Sequence, residues 1–423
     1  MTTRLTVSEF SCIKKAEVEL SDLTVLIGPS ASGKSVISKL TYFFNSLLAE
    51  QFYAIEDSKG LDSFKELVKE RFKEWFPVSA WGGKKFCIEF EAGAYQVRIT
   101  RIEYRKKLGE NIRIWFSSYF EDQFRKALLL TESIRANSPE IEGQALEAFW
   151  KVREEVTGNL RENLGRDFPE LQTFVPAGRS FFTSIGKSIA AFEHGRVLDP
   201  LTVRFGRLYT ALKERGPLNY GSDGVDTKWL NKLNDLMCGK LVADRSAEYL
   251  QASDGRRIPL SALSSGQQEL MPLVLAIKSR AGIHVTRRFQ QLVFIEEPEA
   301  HLFPSAQSSL VEVFGSFLSM SKGRSKLFIT THSPYVLAKI NNLIKAKQVA
   351  GSKRSKKFLA VDKIVSEVNW IDGSRVNAYA INNGVVINIQ DVEDGLIEAS
   401  YLDDVSGDIA QEFSKILSVE YSS

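Results

Sequence analysis

The chain has 423 residues, 43% of them hydrophobic and 25% charged, with 55 basic against 52 acidic side chains and a net charge of +3. That length allows two or three lobes with ample core, and a charge this close to neutral neither demands nor excludes nucleic acid. No apolar run is long enough to span a membrane and no secretory segment opens the chain, while Cys12, Cys87 and Cys238 are spaced for neither a disulfide framework nor a zinc site, which points to a reducing cytoplasm.

Leu5 and Val7, then Ile13, Ala16, Val18 and Leu20, predict two short strands with a turn between them. Leu23 to Ile27 reads as a buried strand running into a glycine-rich loop. From Ser35 a stripe of Val36, Ile37, Leu40 and Phe43 marks a helix. Residues 84–120 are rich in β-formers and hold three more strands. Between Glu121 and Leu164 the pattern turns helical: Ala145, Phe149, Val152, Val156, Leu160 and Leu164 share a face, and Pro139 separates two helices. "FPELQTFVPAGRSFF" interrupts this region. Helix resumes over 182–215 and 226–240, on either side of an exposed loop, "GPLNYGSDGVD". A hairpin through Asp254-Gly255 precedes a helix opened by "SSGQQE". Gln291–Ile295 and Lys326–Thr330 are buried strands on either side of a helix at 305–318. A basic surface loop is expected at 345–357, then strands near 358–371 and 375–389 and a helix near 405–418.

Strands that feed helices at both chain ends argue for an α/β fold with a mixed sheet assembled from both ends. The expected head comprises residues 1–120 and 241–345. A helical lobe is inserted at 121–240, and a small mixed tail occupies 346–423.

The chemistry begins at Gly28-Pro29-Ser30-Ala31-Ser32-Gly33-Lys34-Ser35, which satisfies the phosphate-loop pattern G-x-x-x-x-G-K-[ST] in full. Backbone N–H groups of such a loop and of the following helix face phosphate oxygens. Lys34 would reach the β- and γ-phosphates of ATP, and the Ser35 hydroxyl would ligate Mg²⁺. The strand 291–295 ends in two acids. Glu296 would hold the metal shell, and Glu297 would orient or deprotonate water. The strand 326–330 leads to His332, placed to sense a γ-phosphate. Ser264-Ser265-Gly266-Gln267 opens a helix. Read alone it is an N-cap, with Gln267 or Gln268 closing a capping box on Ser264 or Ser265.

The phosphate loop, "LSSGQQE", "FIEEPEAHLFP" and "TTHSP" occur in that order. Together they resemble the ATPase heads of the ABC-like group that contains SMC, RecF and OLD proteins. The opening "LTVSEFSCIKKAEVELSDLTVLIGPSASGKS" is similar to the usual OLD and RecF start. "FVPAGRS", with Arg179, resembles a segment of OLD-like ATPases. The resemblance covers residues 3–120 and 240–340 and implies an ABC-type nucleotide sandwich. Ser264 to Gln267 of one copy would complete the ATP site of another, in a homodimer or higher homo-oligomer. Glu299-Ala300-His301 would form the loop that connects the two sites, and His332 would be the switch histidine.

The chain departs from the usual pattern at Ser30 and Ala31 of the loop. Ser11 stands where a basic residue usually follows Phe10, with Lys14 or Lys15 as substitutes, and Glu296 stands in place of Asp. Gln96 and Gln123 are both open as the glutamine that contacts the metal shell. The acids Asp391, Glu393, Asp394, Asp403 and Asp404 lack the length and pattern of a nuclease domain, so no nuclease is expected in the chain itself. The resemblance implies an ATP-dependent switch or scaffold subunit controlling a separate effector, a nuclease, as in anti-phage systems such as Septu and PARIS. A RecF-like repair ATPase acting directly on DNA is the alternative. It would use Lys345, Lys347, Lys353, Arg354, Lys356 and Lys357, or Arg204, Arg207, Lys213 and Arg215.

Overall fold

The computed structural model describes residues 2–105, 107–137, 142–185, 198–214, 225–243, 248–286, 289–353 and 355–398. Their organising feature is an eleven-stranded sheet of order β6-β5-β4-β1-β2-β14-β13-β3-β12-β11-β7. One half is parallel: β13 (Val376–Asn382), β3 (Leu23–Ile27), β12 (Ser325–Thr331), β11 (Gln291–Glu296) and β7 (Leu171–Val175). The other half is an antiparallel wing of β6 (Lys107–Phe116), β5 (Tyr95–Tyr104), β4 (Cys87–Ala92), β1 (Thr3–Phe10) and β2 (Ile13–Glu19). β14 (Val385–Asn388) joins the halves, antiparallel to β13 and parallel to β2. The expected α/β class, with a mixed sheet drawn from both chain ends, is the one found. A separate small sheet holds β8 (Lys240–Ala243), β9 (Glu248–Gln251) and β10 (Arg257–Pro259).

Alternation along the central strands divides the core in two, because successive side chains leave opposite faces of a sheet. Leu26, Phe294 and Phe328 enter one cluster, whereas Val25, Val293 and Ile329 enter the other. The first cluster is closed by α1 (Lys34–Glu56), α2 (Leu61–Trp75), α3 (Ser118–Asn137) and α4 (Glu142–Leu164). In α2, Phe64, Val68 and Phe72 recur every fourth residue and are fully buried, each contributing about 1.5–3 kcal/mol. The Phe72 ring lies 5.6 Å from that of Phe43 and 5.7 Å from that of Phe10, so this helix ties α1 to the wing. The second face is covered by α5 (Ser180–Ile185), α6 (Pro200–Glu214), α7 (Thr227–Leu236), α8 (Ser265–Thr286), α9 (Pro304–Met320) and α10 (Pro334–Ala350).

Three expectations are corrected. β7 lies inside the stretch read as helix and interruption, where it forms the sheet edge beside β11. The basic segment 345–357 is not one loop: α10 continues to Ala350 because Ile344, Ala346 and Ala350 are buried, and α11 (Lys356–Ile364) starts almost at once. The strand expected near 358–371 is therefore mostly helix. The Ser355 hydroxyl caps α11 by accepting the Phe358 N–H at 3.0 Å. Pro139, Arg215, most of the "GPLNYGSDGVD" loop and the helix expected at 405–418 lie outside the described residues.

No helix among the described residues is long and apolar enough to cross a membrane.

Candidate active site

The parallel strands bring their C-terminal ends to one edge. In register, Ile27 of β3 faces Thr331 of β12, Glu296 of β11 faces Thr330, and Ile295 faces Val175 of β7. The segments leaving these strands must converge there, the usual place for a ligand in an open α/β sheet. The loop 28–35 leaves β3, Glu297 comes directly after β11, His332 after β12, and Pro176-Ala177-Gly178-Arg179 after β7.

The loop turns tightly. Ala31 has φ 60° and Gly33 has φ 107°. A Cβ on Gly33 would lie 2.4 Å from Ile13 Cδ1 and 2.9 Å from Cys12 Sγ, so glycine is required both for conformation and for space. Gly28 is equally confined: a Cβ there would sit 2.8 Å from the Ile381 carbonyl oxygen. Pro29, Ser30 and Ser32 lie in the same turn, Ser35 stands in the first turn of α1, and the buried Ser32 hydroxyl has no hydrogen-bond partner among the described residues.

Lys34 is only 5% exposed. Its ammonium donates to the carbonyls of Gly28 and Pro29, both at 2.8 Å, and lies 3.4 Å from His332 Nδ1. Burial pulls its pKa below the ordinary lysine value, and Glu297, Glu299 and Glu296 act against that shift.

The acids differ in environment. Glu296 is buried, which pushes its carboxyl above the ordinary value, while the Ser35 hydroxyl, Lys39 and the Ala177 N–H favour the charged form. Its Oε2 accepts from Ala177 N–H at 3.4 Å, and its buried Oε1 has no hydrogen-bond partner among the described residues. A desolvated and under-bonded carboxylate beside a serine hydroxyl fits a hard cation. Ser35 and Glu296 are the residues that would hold Mg²⁺, whose contribution when bound is to neutralise charge on phosphate oxygens. Glu297 is more open. It sits at φ 44°, and its Oε1 lies 2.9 Å from His332 Nε2.

Two residues make contacts that the sequence did not reveal. Glu299 Oε1 accepts from the Thr331 hydroxyl at 2.7 Å and from the His332 N–H at 2.6 Å, fixing the exit of β12. Arg179, fully buried, donates to the carbonyls of Pro176 at 3.1 Å, Glu296 at 2.6 Å and Glu297 at 3.1 Å.

The segment 264–267 behaves locally as a capping box. The Ser264 N–H and hydroxyl each donate to Gln267 Oε1 at 3.1 Å, and the Gln267 N–H returns to Ser264 Oγ at 3.4 Å. Ser264 and Ser265 are exposed. Gly266 is pressed against the connecting loop, where a Cβ would meet the His301 carbonyl oxygen at 2.9 Å. The hydrogen bonds of this corner run within it and to Met237 and Leu263. The loop 28–35 instead gathers Glu296 and His332.

Gln96 sits on the wing, 3.4 Å from Glu91. Of the basic residues on α6, Arg204 is spent on the Tyr42 hydroxyl at 3.0 Å and Lys213 on Glu248 at 2.8 Å. Asp391 closes a turn, its Oδ1 accepting from the Glu393 and Asp394 N–H groups. Asp403 and Asp404 lie outside the described residues.

The family model described as "AAA domain, putative AbiEii toxin, Type IV TA system" matches residues 23–338, which spans the phosphate loop, both acids and His332. The chain belongs to this AAA family. Membership implies ATPase activity in general, and a nucleotide with Mg²⁺ as the family's general ligands. Similar solved structures include the SMC head domain from Thermotoga maritima, at 12% identity and TM-score 0.33 over 92% of this chain and 98% of that one. Another is the SmcHead bound to the C-winged helix domain of ScpA, at 12% identity and TM-score 0.41 over 93% and 98%. A third is the Smc head domain with an extended coiled coil bound to the C-terminal domain of ScpA, derived from Pyrococcus furiosus, at 12% identity and TM-score 0.35 over 92% and 96%. No curated protein matches the sequence.

Proposed function

We propose that this AAA protein is an OLD-like ATP-dependent switch subunit in the cytoplasm, which pairs with a second copy around bound ATP and controls a separate nuclease in anti-phage defence. The observation that carries the ATPase reading is the convergence of Lys34, Glu296, Glu297 and His332 at adjoining strand ends. Glu297 is the base: it is the more exposed acid, at the strand end, with a histidine to orient it. Glu296 is too enclosed for that task and suits the cation. Pairing is supported by the exposed Ser264 and Ser265, which point the opening of α8 at solvent instead of at the loop of their own copy. The family description, with its toxin of a Type IV TA system, supports a defensive role over a housekeeping one.

The test has two arms. Cells carrying the gene with its neighbours are challenged with phage, wild type against Lys34→Ala. Protection that depends on Lys34 and on a neighbouring nuclease supports the proposal. Protection that survives Lys34→Ala contradicts it. In the second arm, DNA binding by the purified chain is titrated against salt with and without ATP. Tight, steeply salt-dependent binding would favour the repair ATPase instead.

A further inference from the structure

Arg179 is a cation buried completely among backbone carbonyls, and Glu269 is the carboxylate paired with it. Its Nε lies 3.7 Å from Glu269 Oε2 and donates to the Glu269 carbonyl at 3.2 Å. Glu269 in turn accepts the N–H groups of Arg179 at 2.9 Å and Ser180 at 3.2 Å. Burial depresses the pKa of the guanidinium, with Glu269 the largest opposing influence.

Glu269 belongs to α8, one turn beyond the Ser264–Gln267 corner. The other side of the guanidinium grips the carbonyls of Glu296 and Glu297. One side chain therefore joins the helix that opens with "SSGQ" to the peptide from which Glu297 hangs. That peptide needs an external hold, because Glu297 is a non-glycine residue at φ 44°, a conformation that persists only when its surroundings impose it.

We infer that Arg179 is a positioning residue, which transmits displacement of the α8 N-terminus to the Glu296–Glu297 peptide and so sets the Glu297 carboxylate for water activation. The inference rests on the assignment of Glu297 as the base. It predicts that ATP binds normally without Arg179 and is hydrolysed poorly.

The experiment compares Arg179→Lys, Arg179→Met and the double variant Arg179→Met/Glu269→Met with wild type. Thermal midpoint, Kd for a fluorescent ATP analogue and kcat are measured on each. In the double variant the midpoint should fall, because the Arg179 and Ser180 N–H groups and the Glu296 and Glu297 carbonyls lose their partners, while Kd stays at the wild-type value and kcat drops about 100-fold, the scale of a misplaced catalytic group. Arg179→Lys keeps the charge but loses the fork that reaches several carbonyls, and should show the same split between Kd and kcat, which covers the case where Arg179→Met does not fold. A folded double variant with kcat within about threefold of wild type overturns the inference, as does an Arg179→Lys protein in which nucleotide affinity, kcat and midpoint fall together. Glu297→Gln is run alongside. If it hydrolyses ATP at the wild-type rate, the base assignment fails. If it is slow while the double variant is fast, only the role of Arg179 fails.

Discussion

The imidazole of His332 stands between Glu297 and Lys34: Nε2 is 2.9 Å from Glu297 Oε1, and Nδ1 is 3.4 Å from Lys34 Nζ. One tautomer satisfies both contacts, with the proton on Nε2 donated to the carboxylate and the Nδ1 lone pair facing the ammonium. Lys34 also donates to two carbonyls of its own loop, so all three ammonium hydrogens have acceptors inside the protein. On the proposed function, an arriving phosphate would draw Lys34 from these partners, a change that His332 would feel directly.

Replacing Glu297 by Gln removes the proposed base but leaves an oxygen to accept from His332. ATP binding should stay within a few-fold of wild type, whereas hydrolysis should fall about 100-fold or more. Size-exclusion chromatography with ATP should then show an accumulated dimer. Turnover at the wild-type rate would refute the assignment.

Much of this site was legible because the chemistry demands particular residues at fixed spacing. The strand Leu23–Ile27 is buried throughout and apolar except for Thr24, and the loop after it can be read letter by letter. The Arg179–Glu269 link was not legible, since it joins residues 90 apart through a backbone path visible only in three dimensions. β7 was missed because "LQTFV" is short, carries Gln172 and Thr173, and lies between Pro169 and Pro176, a composition that suits a loop equally well. The lysines near residue 350 suggested an exposed loop, yet buried Ile344, Ala346 and Ala350 set the helix. Ser355 was a readable cap for the next helix, as the Phe64, Val68 and Phe72 spacing was for α2.

Glu296 should leave a signature in the pH dependence of stability. Burial raises its folded-state pKa above the ordinary 4.5. For such an acid the unfolded chain ionises first. Its stabilising contribution is complete below pH 4.5 and is lost as pH rises through the folded value. Thermal midpoints of the nucleotide-free protein measured upward from that pH should therefore decline more steeply for wild type than for Glu296→Gln. Equal slopes would mean that the carboxyl is not desolvated.

Gly33→Ala places a methyl against Ile13 and Cys12 at a left-handed position, and should destabilise the protein by about 3 kcal/mol while abolishing nucleotide binding. Gly165→Ala is the control: φ is 53°, nothing lies within 4 Å of the added Cβ, and the expected loss is about 1 kcal/mol with binding intact. Urea midpoints and analogue titration measure both. Equal losses at the two sites would show that the contacts around Gly33 relax freely.

Whether the site is shared between two copies is decided most directly by mixing two crippled proteins. Lys34→Ala disables a copy's own loop, and Ser265→Arg blocks the surface it offers to a partner. Each alone should hydrolyse almost no ATP. In a mixed pair one site joins an intact loop to an intact helix opening, so an equimolar mixture should recover about a quarter of wild-type activity. A mixture that stays inactive while wild type hydrolyses ATP at the same concentration, or a Ser265→Arg protein fully active alone, would contradict the shared site.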